Sequence, residues 1–213
     1  MQIKLRNVIP ENIESEKIKD SNVWAKDFSI TKGEHLHIVA PSGSGKTSLM
    51  HFIYGLRKDY SGDIFYDDTI IKKLSTESFS LFRQSKISII FQDLRLFEDQ
   101  TVRENIEIKR MLDPYHNEKK VNEMAARLGI ETKLNQTVKT CSYGEQQRIA
   151  IIRSLMQPFD FLLLDEPYSH LDENNRSKAT ELIYEECEKR NAAMVFADLK
   201  ALDFLKGEKT LYL

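Results

Sequence analysis

Between His35 and Ile53 the chain passes from a short apolar run, through Ala40-Pro41-Ser42-Gly43-Ser44-Gly45-Lys46-Thr47, into a segment of helical period. No other stretch constrains the fold as tightly. His35 to Val39 reads as a core strand, and Leu49, Phe52, Ile53 and Leu56 share one face of the helix that follows. Gly43-x-Gly45-Lys46-Thr47 between them fits a P-loop, in which backbone N–H groups and a helix N-terminus surround a phosphate. The glycines let the chain close around the anion with no Cβ in the way. Lys46 supplies a point charge to the phosphates, and the Thr47 hydroxyl is a ligand for Mg²⁺. Ala40 stands where the motif's first glycine is usual, and a negative φ there makes its methyl tolerable. A Gly/Ser-rich turn ahead of a helix is the bland alternative, and it leaves the preceding strand unexplained.

A second apolar run, Phe161-Leu162-Leu163-Leu164, ends in Asp165-Glu166-Pro167. Two acids at a strand end say little alone and much beside a P-loop. Asp165 is placed to hold Mg²⁺ through its water shell, and Glu166 to polarise an attacking water. The rest of the chain supports an α/β architecture. Gln2 to Val8, Val23 to Ile30 and Gly62 to Ile71 read as strands, giving a β-rich N-terminal part. From about Asp93 to Thr140 the pattern is mostly helical, with Val121, Met124, Ala125 and Leu128 as a stripe stopped near Gly129. A helix from Ser142 to Met156, a strand Phe159 to Leu164, a helix Glu173 to Lys189 and a strand Ala193 to Phe196 follow. Strand and helix alternating around a P-loop imply a mostly parallel sheet with helices packed on it. No repeat, low-complexity tract or linker breaks the sequence, so residues 1–213 read as one domain. The mid-chain helices, roughly 93–156, form a lobe inserted into its core.

Composition narrows the function. The 213 residues are 41% hydrophobic and 30% charged, which is globular, and the net charge of −2 provides no basic field for nucleic acid. No apolar run approaches the ~20 residues of a membrane helix, and Met1 to Asp20 is polar. Cys141 and Cys187 make neither a disulfide framework nor a metal knuckle and read as partly buried thiols of a reducing cytosol. His35 and His37 share one strand face without acidic or thiol neighbours, so they read as structural.

A third motif completes the set. Cys141-Ser142-Tyr143-Gly144-Glu145-Gln146-Gln147-Arg148 precedes the acidic strand, and Ser142 with Glu145 makes a capping box whose helix dipole would face a phosphate. With the P-loop and Asp165-Glu166 in this order, nearly the whole chain resembles the ATP-binding cassette (ABC) ATPases. The resemblance implies the P-loop NTPase fold of that family: a mostly parallel RecA-like core, an N-terminal antiparallel β subdomain and the inserted helical lobe. It implies ATP and Mg²⁺ held by Ser42, Gly43, Ser44, Gly45, Lys46, Thr47 and Ser48, with Glu166, Lys46 and Gln92 catalytic. Thr47, Gln92 and Asp165 are then the metal's ligands. Ser142, Gly144 and Glu145 would complete the site of a second copy, so that two ATP are sandwiched between two chains. Ser169-His170-Leu171-Asp172 resembles the D-loop between the two sites, with His170 in place of the commoner alanine, either as a solvent-facing loop residue or with a role across the dimer interface.

The segments around Gln92 and Thr101 to Ile106 look most like the lipoprotein-release, cell-division and macrolide-efflux ATPases (LolD, FtsE and MacB types). These pair with an integral membrane permease, which implies a cytoplasmic chain held peripherally on the inner face of the membrane. Besides Ala40 and His170, three more positions depart from the pattern. Tyr143 replaces a signature glycine and Cys141 its leucine. Ala197, in Phe196-Ala197-Asp198, stands where the family's switch histidine contacts the γ-phosphate; losing one such donor costs about 10²–10³ in rate. No aromatic stands at the usual adenine-stacking place, near Ile13, and Trp24 reads as a core residue. The first expectation is therefore an ATPase subunit of a transporter. The second is a nucleotide-gated module with little hydrolysis, and the third a soluble cassette of iron–sulfur assembly.

Overall fold

The computed structural model describes residues 1–200 and 209–213. β6 (Ile87–Ile90), β7 (Phe161–Asp165) and β8 (Ala193–Asp198) are near-continuous apolar runs because both of their faces are covered. With β3 (His35–Val39) and β9 (Lys209–Tyr212) they form a five-stranded parallel sheet in the order β6-β7-β8-β3-β9. Alternation splits the side chains between two cores. Leu162, Leu164, Met194 and Phe196 enter one, with Val102, Ile106, Met124, Ile152 and Ile183. Phe161, Leu163, Val195 and Ala197 enter the other, with Leu49, Phe52, Trp24 and Ile64.

The second core is closed by a four-stranded antiparallel sheet in the order β2-β1-β4-β5, built from β1 (Gln2–Pro10), β2 (Phe28–Thr31), β4 (Tyr60–Tyr66) and β5 (Thr69–Ile70). The expected α/β fold, with one parallel and one antiparallel sheet, is present. Helices α1 (Ser15–Lys19), α2 (Lys46–Ile53) and α3 (Thr76–Ser85) belong to this half of the chain. The mid-chain segment forms α4 (Val102–Leu112) and α5 (Glu118–Arg127), followed by α6 (Tyr143–Leu155) and α7 (Glu173–Arg190). The stripe Val121, Met124, Ala125 and Leu128 is core, as its spacing requires. Among the described residues no helix is long and apolar enough to cross a membrane.

Four features differ from expectation, the first being that Gly62 to Ile71 is no single strand but the β4–β5 hairpin, which turns at left-handed Asp67. Val23 to Ile30 is not one strand: the Ser21 hydroxyl accepts the N–H groups of Val23 (2.9 Å) and Trp24 (2.8 Å), Ala25 is left-handed, and pairing begins only at Phe28. Helix α3 was not legible as a period. It is capped by Ser75 and fixed by Phe79, which fills the space beside Gly55. Strand β9 exists because β3 offers it an edge, with Leu36 to Val39 in register with Lys209 to Tyr212.

Candidate active site

The P-loop leaves β3 and is tied on both sides. The Ala40 N–H donates to the Asp198 carbonyl (3.1 Å), extending the β3–β8 pairing into the loop. Ala40 is not among the left-handed residues, so its methyl is accommodated as anticipated. From inside, the Lys46 ammonium donates to the carbonyls of Ala40 (2.9 Å) and Pro41 (3.1 Å). From outside, the buried Trp24 donates its indole N–H to the Ser44 carbonyl (3.2 Å). Ser44 in turn donates its hydroxyl to Pro41 (2.8 Å). A Cβ on Gly45, which sits at φ +101°, would lie 2.8 Å from the Trp24 ring, so this position takes glycine for two independent reasons. Gly45 caps α2 without a side chain, leaving the first-turn N–H groups for an anion.

Beside the loop stand the acids. Thr47 donates its hydroxyl to Gln92 Oε1 (3.1 Å), Gln92 Nε2 reaches Glu166 Oε2 at 3.5 Å, and Lys46 Nζ lies 3.4 Å from Glu166 Oε1. Asp165 is buried, and neither of its carboxyl oxygens has a hydrogen-bond partner. Burial pushes its carboxyl up to about 6; the nearby Thr47 hydroxyl and Lys46 oppose the rise, and Glu166 and Asp93 add to it. Two orphaned carboxyl oxygens beside a hydroxyl and an amide oxygen are a hard-oxygen donor set, and it fits Mg²⁺. Glu166 is left-handed at φ +47°, and its N–H donates to the Ala197 carbonyl (3.0 Å). The sheet pairing thus continues while the side chain is re-aimed toward Lys46. Such a backbone costs on the order of 1 kcal/mol and persists where its surroundings over-determine it.

Ser42, Gly43, Gly45, Lys46, Thr47, Ser48, Gln92 and Glu166 line one cavity of 250 Å³. Ser44 is buried within the loop, and Asp165 is buried beside Lys46 and Thr47. Ser142, Gly144 and Glu145 do not line this cavity. They form the start of α6, where the expected capping box is present: Ser142 accepts from the Glu145 N–H (3.3 Å) and Glu145 accepts from the Ser142 N–H (2.8 Å). Gln147, which sequence reasoning passed over, joins the two regions. Buried on α6, it donates to the Glu166 carbonyl (3.3 Å) and Ser169 hydroxyl (3.4 Å) and accepts from the His170 N–H (2.9 Å). Arg153 was missed for the same reason, since a polar residue on a helix gives no sign of its distant partner. It donates to the carbonyls of Leu94 (2.5 Å) and Arg95 (2.7 Å), both left-handed, just beyond Gln92.

Trp24 is fully buried and edge-on to Phe52, hence unavailable to a base, while His37 is buried against Phe196 and His35 packs on Tyr184. The Ala197 methyl points into the core, and Asp198 beside it has its carboxyl pushed up by burial and by the charge of Glu166. Both cysteines are buried and free.

Residues 25–169 match the family described as ABC transporter. The chain belongs to the ABC transporter family. The cassette is 36% identical over 161 residues to the lipoprotein-releasing system ATP-binding protein LolD of Buchnera aphidicola subsp. Schizaphis graminum (strain Sg), which covers 74% of this chain and 70% of that one. It is 34% identical over 172 residues to the LolD of Legionella pneumophila (strain Lens), covering 79% and 76%. Among solved structures, the dimeric structure of MJ0796, described as a bacterial ABC transporter cassette, superposes with TM-score 0.80 at 25% identity, covering 93% of this chain and 88% of that one. The same cassette in a post-hydrolysis dimer bound to ADP and Pi superposes equally well. The cassette therefore has the ABC ATPase fold that the three motifs implied.

Proposed function

We propose that this cassette is the ATP-binding and ATP-hydrolysing subunit of an ABC transporter of the lipoprotein-release type, acting as an ATP-sandwich dimer on a membrane permease. The observation that carries the reading is the convergence of Lys46, Thr47, Gln92 and Glu166 on one cavity at a helix N-terminus, with Asp165 buried close to Lys46 and Thr47. Lys46 and the N–H groups of the P-loop bind the β- and γ-phosphates. Thr47, Gln92 and Asp165 would hold Mg²⁺, which when bound neutralises charge on the β- and γ-oxygens. Glu166 orients a water toward the γ-phosphorus and takes its proton. The new P–O bond forms as the β–γ bridge bond breaks, with the electron pair leaving on ADP. Ser142, Gly144 and Glu145, which do not line this cavity, serve the site of the second copy.

Residues 1–213 act as one unit, in which the lobe of residues 93–156 moves the permease and is read out through Gln92. This places the chain on the cytoplasmic side of the membrane, attached through its partner. Kinship with the two LolD proteins supports the choice of transporter type. A second reading, a nucleotide-gated module with negligible turnover, draws on Ala197, whose buried methyl provides no donor to the γ-phosphate.

Mg-ATP turnover of the purified protein beside Glu166→Gln separates the two. The variant is expected to lose at least about 10²-fold in turnover and to elute as a dimer in ATP. ATP-dependent dimers with no turnover in either protein would favour the gated module or an ATPase that needs its permease, which repeating the assay with the permease separates, and turnover indifferent to Glu166→Gln would sink the site assignment.

A further inference from the structure

Tyr143 and His170, two residues that depart from the motifs around them, meet in the folded chain. Their ring centroids are 4.1 Å apart, edge to face at 65°. Both are exposed, Tyr143 at 46%, so the contact is not made to fill a core. It is nonetheless rigidly mounted. The first turn of α6 presses on the loop that carries His170, and a Cβ on Gly144 would lie 2.9 Å from the His170 carbonyl. The His170 N–H is fixed by Gln147, the buried residue that also holds the Glu166 peptide. Tyr143 lines a cavity with Thr47, His51, Gln92 and Asp93, and this cavity meets the phosphate pocket at Thr47 and Gln92. The aromatic pair and the phosphate pocket therefore open on one face of the molecule.

The pocket itself is short of cationic donors. Lys46 is the only cation among its lining residues; Glu166 lines it, and Asp165 and Asp198 stand close by. In phosphoryl transfer negative charge is spread over the three γ-oxygens, and a preorganised donor there is worth about 10²–10³ in rate. At position 197 this chain has only a methyl group, turned into the core. A two-fold axis on this face that passes between the pair and the pocket would set each aromatic pair against the other copy's pocket. We propose that, in the ATP-bound dimer, the His170 imidazole of one copy donates a hydrogen bond to the γ-phosphate held by the other. Tyr143 is the positioning residue: its ring limits the conformers of the imidazole before the nucleotide arrives and so lowers the entropy cost of the contact. The proposal rests on the reading of the cassette as an ATP-hydrolysing dimer.

The test is complementation between two inactive variants. His170→Ala is expected to lower kcat about 10²-fold or more with KM for ATP and melting temperature unchanged. Tyr143→Gly is expected to lower kcat in the same sense, and Tyr143→Phe, which keeps the ring, to restore it. His170→Ala and Glu166→Gln are then mixed before ATP is added. Random pairing makes about half of the dimers mixed, each with one complete site, so recovery to about a quarter of wild-type turnover is expected. Wild-type kinetics in His170→Ala would overturn the role of His170. Loss of activity that mixing does not restore would overturn it equally, because His170 would then act within its own chain. Wild-type turnover untouched by Glu166→Gln, or absent altogether, would instead take down the hydrolysis reading on which the proposal stands.

Discussion

Asp165 shows at the scale of one residue what the site costs the fold. Its carboxyl is held at about 6 against an ordinary 3.8, and burial is the main cause. With the folded value raised, the folded chain binds the proton more tightly than the unfolded chain does. Stability therefore falls as pH rises from 3.8 through 6, and the full penalty, about 3 kcal/mol, is present above 6. Asp165→Asn is expected to stabilise the nucleotide-free protein at pH 7.5 by about 1–3 kcal/mol in urea denaturation, while abolishing turnover. The gain should shrink as the pH is lowered from 7 toward 4; a constant gain would mean that the ionised carboxyl is not its source. Glu166 makes the same point in the backbone: its left-handed conformation is sustained by the bond to Ala197 and re-aims the carboxylate from the sheet toward Lys46.

At the scale of elements, α6 is the part that joins everything else. Its first turn presses on the His170 loop, Gln147 holds the Glu166 carbonyl, and Arg153 holds two carbonyls just beyond Gln92. Leu94 and Arg95 are consecutive left-handed residues without glycine's freedom, so the loop keeps this shape because Arg153 and its packing impose it. Arg153→Met keeps the apolar stem and removes both hydrogen bonds. It is expected to cost about 1–3 kcal/mol in urea denaturation and to speed amide exchange selectively in residues 91–97. Unchanged exchange there would show that the loop holds its shape unaided.

For the whole molecule, the corresponding fastening is a buried ionic cluster. Glu186 and Arg190 of α7 are paired, His116 from the α4–α5 connection sits 2.8 Å from Glu186, and Arg190 also donates to the Leu155 carbonyl (3.0 Å). These partners hold the Glu186 carboxyl well below the usual range in spite of its burial. Glu186→Ala would leave Arg190 buried beside His116 with its charge uncompensated. It is expected to cost about 3–5 kcal/mol, roughly 10 °C in Tm by calorimetry. A change within 2 °C or so would mean that the cluster contributes nothing net.

Much of this protein was legible because its motifs are local. The strand–loop–helix around Lys46, the Ser142–Glu145 capping box and the acids ending β7 lie within a few residues of one another, and a helix or strand fixes their spacing whatever surrounds them. The apolar runs of β7 and β8 announced a covered parallel sheet for the same reason. What only the tertiary structure decided depends on residues far apart in sequence. Trp24 braces the loop at Ser44, Arg153 reaches Leu94 and Gln147 reaches Glu166. Strand β9 exists only against β3, and Val23 and Trp24 left the expected strand because Ser21 captured their N–H groups. A polar side chain carries no periodic mark of its partner, since that bond is decided by which surfaces the cores bring together. The sequence by itself thus determined the family and the local motifs of the candidate site, and the packing decided how those motifs are held.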